Sequence, residues 1–229
     1  TLDASKWGRL GLVGQTSHTA ARDGTTSNVT SVNPTFSTSA AISYVRSSGR
    51  TGSIYSIYRT FYYFDTSGIT CDITDSSLNI MGASAETAAV IIVRSTAFGG
   101  DGIDDLISTD YDNITFDTSY GLVFNTWDDG LNNEVPFNNN TDPEGTANAA
   151  IRDDDYFICA VIEYAYDYRD IDPSSNVANT SGINFSVDAY LNYTLGPANV
   201  LKVNGLLTPI INKWDGTSWC DVVGFNGVS

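Results

Sequence analysis

The sequence predicts an all-β chain, an antiparallel β-sandwich most simply of the jelly-roll type, followed by short C-terminal hairpins. Three observations carry this. Residues 183–195 alternate without a break: odd positions from Ile183 to Leu195 are apolar, and even positions carry Asn, Ser, Asp, Tyr and Thr. Period two over that length describes an antiparallel strand with one face buried. The other apolar runs are short, rich in Val, Ile, Thr, Tyr and Phe, and separated by polar loops, with no long stretch of helix formers. Finally, Asn204-Gly205, Asp215-Gly216 and Asn226-Gly227 recur at eleven-residue spacing, each after an apolar residue. Such dipeptides tolerate positive φ at both central positions of a type I′ turn, so each predicts a tight reversal.

The elements follow in order. Residues 1–34, rich in Gly, Ser and Thr, are expected to form an N-terminal arm. Residues 53–64 begin with alternation and end in Phe61-Tyr62-Tyr63-Phe64, which predicts a strand covered on both faces. Strands are expected at 78–81, 88–93 and 122–125, and one helical turn at 101–106 with Asp101 as its N-cap. Residues 125–155 are expected to be a long exposed loop, and 157–168 a further strand. The domain reading is therefore an arm over 1–34, a sandwich over 35–196 and a tail over 197–229. A tail this short cannot bury Val203, Trp214, Trp219 and Phe225 by itself, so these side chains predict an assembly or docking interface.

Charge narrows the function. The 229 residues carry a net charge of −16, unevenly spread. Residues 1–59 hold six Lys/Arg against Asp3 and Asp23, a local +4, whereas residues 60–200 hold three Arg against 23 carboxylates, a local −20. A body that acidic repels phosphate, so no nucleic-acid partner is expected. No window approaches 18 apolar residues, so no membrane-spanning helix is expected.

Candidate chemistry is sparse. His18 is the only histidine, and a nucleophile triad would rest on that one loop residue. The chain is therefore read as non-enzymatic, with no catalytic residues, and replacing His18 by Ala is expected to change nothing. One His and three scattered Cys do not make a zinc site. Cys159 lies in an apolar run and reads as a buried thiol, while a disulfide between Cys71 and Cys220 is left open. No cofactor is expected beyond a candidate structural calcium at Asp101, Asp104 and Asp105, which cluster among glycines and offer hard oxygen ligands. Trp127, Tyr166 and Tyr168 are candidate glycan contacts, because exposed aromatic rings stack on sugars. Arg59 opens the aromatic strand and Asp65 ends it, so an Arg59–Asp65 pair is one expectation, and an exposed Arg59 lying over Tyr62 or Tyr63 is the other. Asp65-Thr66-Ser67-Gly68 predicts an Asx-type turn.

Arg59-Thr60-Phe61-Tyr62-Tyr63-Phe64-Asp65-Thr66-Ser67, followed by Ile69, Ile73 and Leu78-Asn79-Ile80, resembles a jelly-roll module of bacterial surface proteins and tailed-phage virion proteins. Ala150-Ile151-Arg152, the acidic stretch 166–173 and the strand 187–193 resemble its closing half, with Ala189 where that module usually has proline. The tail, with Lys202-Val203-Asn204-Gly205 and Lys213-Trp214-Asp215-Gly216, resembles tails of tailed-phage structural proteins. The resemblance implies a virion structural protein, a capsid decoration or tail-surface subunit located in the virion and assembled in the host cytoplasm. Other virion proteins and further copies of the chain would be its partners. The alternative it allows is a carbohydrate-binding or adhesive module that recognises glycans.

Overall fold

The computed structural model of the chain describes residues 1–32, 42–49, 52–69, 71–83, 89–128, 131–137, 147–173, 180–185, 189–196, 213–214 and 217–218. They form an antiparallel all-β sandwich of two sheets. Its organising strand is β5 (Gly52–Asp65), preceded by β1 (Leu2–Asp3), β2 (Lys6–Gln15), β3 (Val29–Val32) and β4 (Ile42–Gly49). One edge of β5 takes β2 along nearly its whole length, from Lys6 opposite Tyr63 to Gln15 opposite Tyr55. The other edge is shared. Its first half pairs with β4, and its second half pairs with β10 (Tyr156–Glu163). Beyond β10 lie β7 (Val90–Ser95) and β8 (Ile114–Ser119). The second sheet is built on β6 (Ile73–Ala83), flanked by β9 (Asn132–Pro136) and β12 (Tyr190–Leu195), with β1 outside β12. Strand β11 (Thr180–Phe185) joins the sheets, pairing with β4 through residues 180–183 and with β6 through Asn184 and Phe185.

Two cores result, one on each face of the β5 sheet. Between the sheets, Trp7, Tyr62, Phe64, Phe157, Cys159 and Val161 meet Leu78, Ile80, Val135 and Leu191. On the outer face, Leu10, Ile57, Phe61, Ile158, Ala160 and Ile162 are roofed by Ala21, Phe98, Leu106 and Tyr111. The roof is not a sheet. It consists of helix α1 (His18–Arg22), the 3₁₀ turns Phe98–Gly100 and Ser108–Asp112, and a π-helical turn over Tyr164–Tyr168. Burial on both faces is why residues 157–162 are apolar without alternation.

Several expectations change. Residues 2–32 are not an arm: β2 fills an edge of the central strand and buries Trp7 and Leu10. Its glycines disguise it, yet Gly11 is required by close approach, since a Cβ there would lie 2.4 Å from the Tyr58 ring. Residues 125–155 are not one exposed excursion, because β9 and helix α2 (Ala147–Asp153) bury Val135, Phe137, Ala147 and Ile151 in the inter-sheet core. Residues 122–125 form no strand; Phe124 makes a single antiparallel bridge to Val90. Of the alternating run 183–195, residues 183–185 lie in β11 and residues 190–195 in β12, which both pair with β6, residues 186–188 lie outside the described residues, and Ala189 and Leu191 are buried as the alternation requires. Near the C-terminus, β13 (Lys213–Trp214) and β14 (Thr217–Ser218) pair antiparallel around Asp215-Gly216. The other two turn signals, and Val203, Trp219 and Phe225, lie outside the described residues. Cys159 is a free buried thiol, as expected, and Cys71 is disulfide-bonded; Cys220 lies outside the described residues.

Candidate functional site

The densest polar constellation is buried inside the roof. Arg59 faces the same side of β5 as Ile57 and Phe61, and it has no exposed surface. Its guanidinium is held by Asp167, also without exposed surface, in a two-pronged pair: Nε donates to Oδ2 at 2.8 Å and Nη2 to Oδ1 at 2.6 Å. Nη1 donates to the Tyr111 carbonyl at 2.7 Å and Nη2 to the Arg22 carbonyl at 2.8 Å. The Tyr111 ring lies 4.2 Å from the guanidinium carbon, a cation–π contact. Burial alone, the largest single influence, would lower the Arg59 pKa, but the Asp167 carboxylate, Tyr111 and Asp112 together outweigh it and leave the guanidinium more firmly protonated than usual. The planar fork of Arg suits four acceptors in one plane, which an ammonium cannot reproduce. Arg59 is therefore neither paired with Asp65 nor exposed over its neighbours. Asp65 instead accepts from the Ser67 amide and hydroxyl, the expected Asx-type turn.

The roof elements lean on one another around this pair. His18, only 3% exposed, sits 2.7 Å from the Tyr166 carbonyl through Nε2, so that nitrogen carries the hydrogen. Its Nδ1 is 3.7 Å from Asp170, and Arg22 Nε donates to the Asp167 carbonyl at 2.6 Å. Ser17 caps α1 by accepting from the Ala20 amide. Glu163, 2% exposed, accepts from the Tyr166 and Asp167 amides and so closes the π-helical turn. Burial raises its pKa, and the hydrogen bonds from those amides offset this only in part. His18 is thus a buried bracing residue, and the expectation that its removal changes nothing is corrected: the ring fills a closed site and bonds the turn.

Other predicted site residues are placed differently. Asp101, Asp104 and Asp105 do not converge; among the described residues no group of three His, Cys, Asp or Glu side chains is set to hold a metal. Asp101 accepts from the Ile103 amide in an Asx turn rather than capping a helix, and Asp105 faces Lys6 at 3.6 Å. The glycines around them serve the backbone: Gly102 has φ +81°, and a Cβ there would fall 1.9 Å from the Tyr63 ring. The three glycan candidates are not brought together. Trp127 packs edge-on against Phe124 over the inter-sheet core, whereas Tyr166 and Tyr168 pack against the outer core. Trp214 lies on β13. No helix among the described residues is long and apolar enough to cross a membrane.

No protein-family model and no curated protein matches this sequence. The reading of the site therefore rests on its own chemistry. A buried, doubly bonded ion pair with four satisfied contacts and no approach for a substrate is a scaffold device.

Sequence reasoning missed Asp167 because it stands in one acidic stretch with the exposed Asp170 and Asp172, 108 positions from Arg59. The usable signal was an Arg set between Ile57 and Phe61 on a face expected to be buried.

Outcomes of two kinds follow, the first in stability at fixed pH. Asp167→Ala should cost about 3–5 kcal/mol in urea-induced unfolding, because it strands the Arg59 charge in the core. His18→Ala should cost about 1–3 kcal/mol through its lost hydrogen bond and ring. A loss below about 1 kcal/mol for Asp167→Ala would contradict the burial of the pair. The second kind concerns pH. A carboxylic acid whose folded pKa lies above its unfolded value adds stability at low pH, and that contribution is lost as pH rises from about 4.5, the unfolded value, through the raised folded value. Glu163→Gln should therefore match or exceed the parent in stability at neutral pH, and the advantage should shrink as pH falls through that window. A variant that is less stable at pH 7 and gains ground on acidification would refute this.

Proposed function

We propose that this chain is a non-enzymatic virion structural protein, a capsid-decoration or tail-surface subunit whose sandwich is of the jelly-roll type. The observation that carries the reading is the C-terminal hairpin of β13 and β14, closed around Asp215-Gly216, the middle one of three turn signals at eleven-residue spacing. A tail with strand pairing of its own and four large apolar side chains suits docking to a neighbouring subunit better than it suits chemistry. The sandwich supports the same reading through its exposed apolar side chains: Ile103 is 80% exposed, Leu122 61% and Leu131 60%. The only histidine is occupied in bracing the roof, which also favours a structural role over catalysis. The strong negative charge favours protein partners over nucleic acid. In this reading the partners are other virion proteins and further copies of the chain, and the location is the virion.

A mass-spectrometric inventory of purified particles should contain the protein at fixed stoichiometry. Deleting residues 201–229 should leave residues 1–200 folded by circular dichroism, while incorporation or self-association falls. Absence from particles would overturn the virion reading, and global unfolding of the truncated chain would make the tail part of the core instead of a docking element.

A further inference from the structure

We infer that a small cleft at the end of β7 binds the hydroxyl edge of a saccharide, a function independent of any role in a virion. The cleft, about 50 Å³, lies where the end of β7, Tyr120 and the junction of α2 with β10 meet, and its lining includes Arg94, Thr96, Tyr120, Asp154, Tyr156 and Phe157. Three of its polar groups have no protein partner among the described residues: the Arg94 guanidinium, the Tyr120 hydroxyl and the Asp154 carboxylate. Every other arginine whose side chain is described is held by an oxygen or an aromatic ring. Tyr120 is 3% exposed, and its ring is wedged between Phe137 and Phe157, with centroids at 6.3 and 5.0 Å. Its hydroxyl is therefore fixed in direction and still open to a ligand. Arg94 and Asp154 both lie close enough to act on that phenol electrostatically, in opposite senses, yet they form no ion pair with each other.

The inventory of the cleft selects its ligand. Arg94 can only donate, ionised Asp154 can only accept, and Tyr120 can do either. Neighbouring hydroxyls on one sugar ring meet all three. A simple anion would face Asp154 and a simple cation would face Arg94. The volume holds about three to five waters at about 10–15 Å³ each, so two or three ligand hydroxyls can replace most of them and reproduce their bonds. Enclosing pockets run to roughly 300 Å³ and above, so this cleft takes an edge of a larger ligand, such as a terminal sugar, not a whole molecule. The half-buried Tyr156 ring at the same cleft supplies the apolar surface on which the C–H face of a pyranose rests. The location differs from Trp127, Tyr166 and Tyr168.

The test is an NMR titration of the full chain with the methyl glycosides of galactose, glucose and N-acetylglucosamine, with L-serine as the zwitterionic probe and acetate as the anionic one. At least one glycoside should give saturable shifts at Arg94, Tyr120 and Tyr156, with a dissociation constant on the order of 1 mM. Tyr120→Phe and Asp154→Asn should each weaken it about five- to tenfold, and Tyr120→Phe should leave the unfolding midpoint in place. Binding of serine or acetate without a sugar, no saturable shift with any glycoside, or sugar binding indifferent to both substitutions would each overturn the proposal. The particle inventory decides the virion reading separately.

Discussion

The buried pair of Arg59 and Asp167 is the constraint on which the outer half of the molecule depends. A guanidinium in the middle of an apolar row carries a desolvation cost of several kcal/mol, which a single carboxylate offsets only when the geometry is good and the remaining N–H groups are satisfied. Both conditions hold, with two short bonds to Asp167 and two carbonyl acceptors from separate segments. Because those carbonyls belong to Arg22 and Tyr111, the charge cannot be satisfied unless α1, the 108–112 turn and the π-helical turn are all in place. One side chain thus converts three short, irregular segments, none stable alone, into a roof.

That roof explains the chemistry of the sheet beneath it. A two-layer sandwich would leave the outer face of β2, β5, β10 and β7 wet, and Phe61, Ile158 and Ile162 could not stand there. With the roof present, both faces are dry, and β5 and β10 carry continuous apolar runs. The same arrangement commits His18 and Glu163 to structure. The ring of one and the carboxyl of the other hold the turn that presents Asp167. Among the described residues, the side-chain polar groups of Arg94, Tyr120 and Asp154, in the cleft at the end of β7, stand outside this network with no protein partner.

Legibility in the sequence followed the strength of the local signal. The aromatic run 61–64 announced a doubly covered strand, the apolar start of 157–168 a further strand, and the alternation at 183–195 a half-buried one, because each pattern follows from the burial of its side chains. Strand β2 was hidden by Gly8 and Gly11, which partners distant in sequence approach closely, and by Gly14, whose φ of +78° favours glycine. Strand β9 was hidden because five residues with Asn, Glu and Pro give only Val135 as an inward signal before Phe137. The turn Tyr164–Tyr168 read as strand because three tyrosines at alternate positions mimic period two, while the Glu163 carboxylate turns the backbone there. For the roof site, Arg59 was visible and its partner was not. No local pattern distinguishes Asp167 from Asp170 or Asp172, since only the fold decides which acid is buried.

The most direct measurement of this account is native-state hydrogen exchange in the parent and in Arg59→Lys, which keeps the charge but cannot serve four acceptors in one plane. If the pair organises the roof, amides of α1, of residues 108–112 and of residues 164–168 should lose protection together and by a similar factor, while those of β6, β9 and β12 keep theirs. Loss confined to residues 164–168, with α1 and the 108–112 turn unchanged, would contradict it.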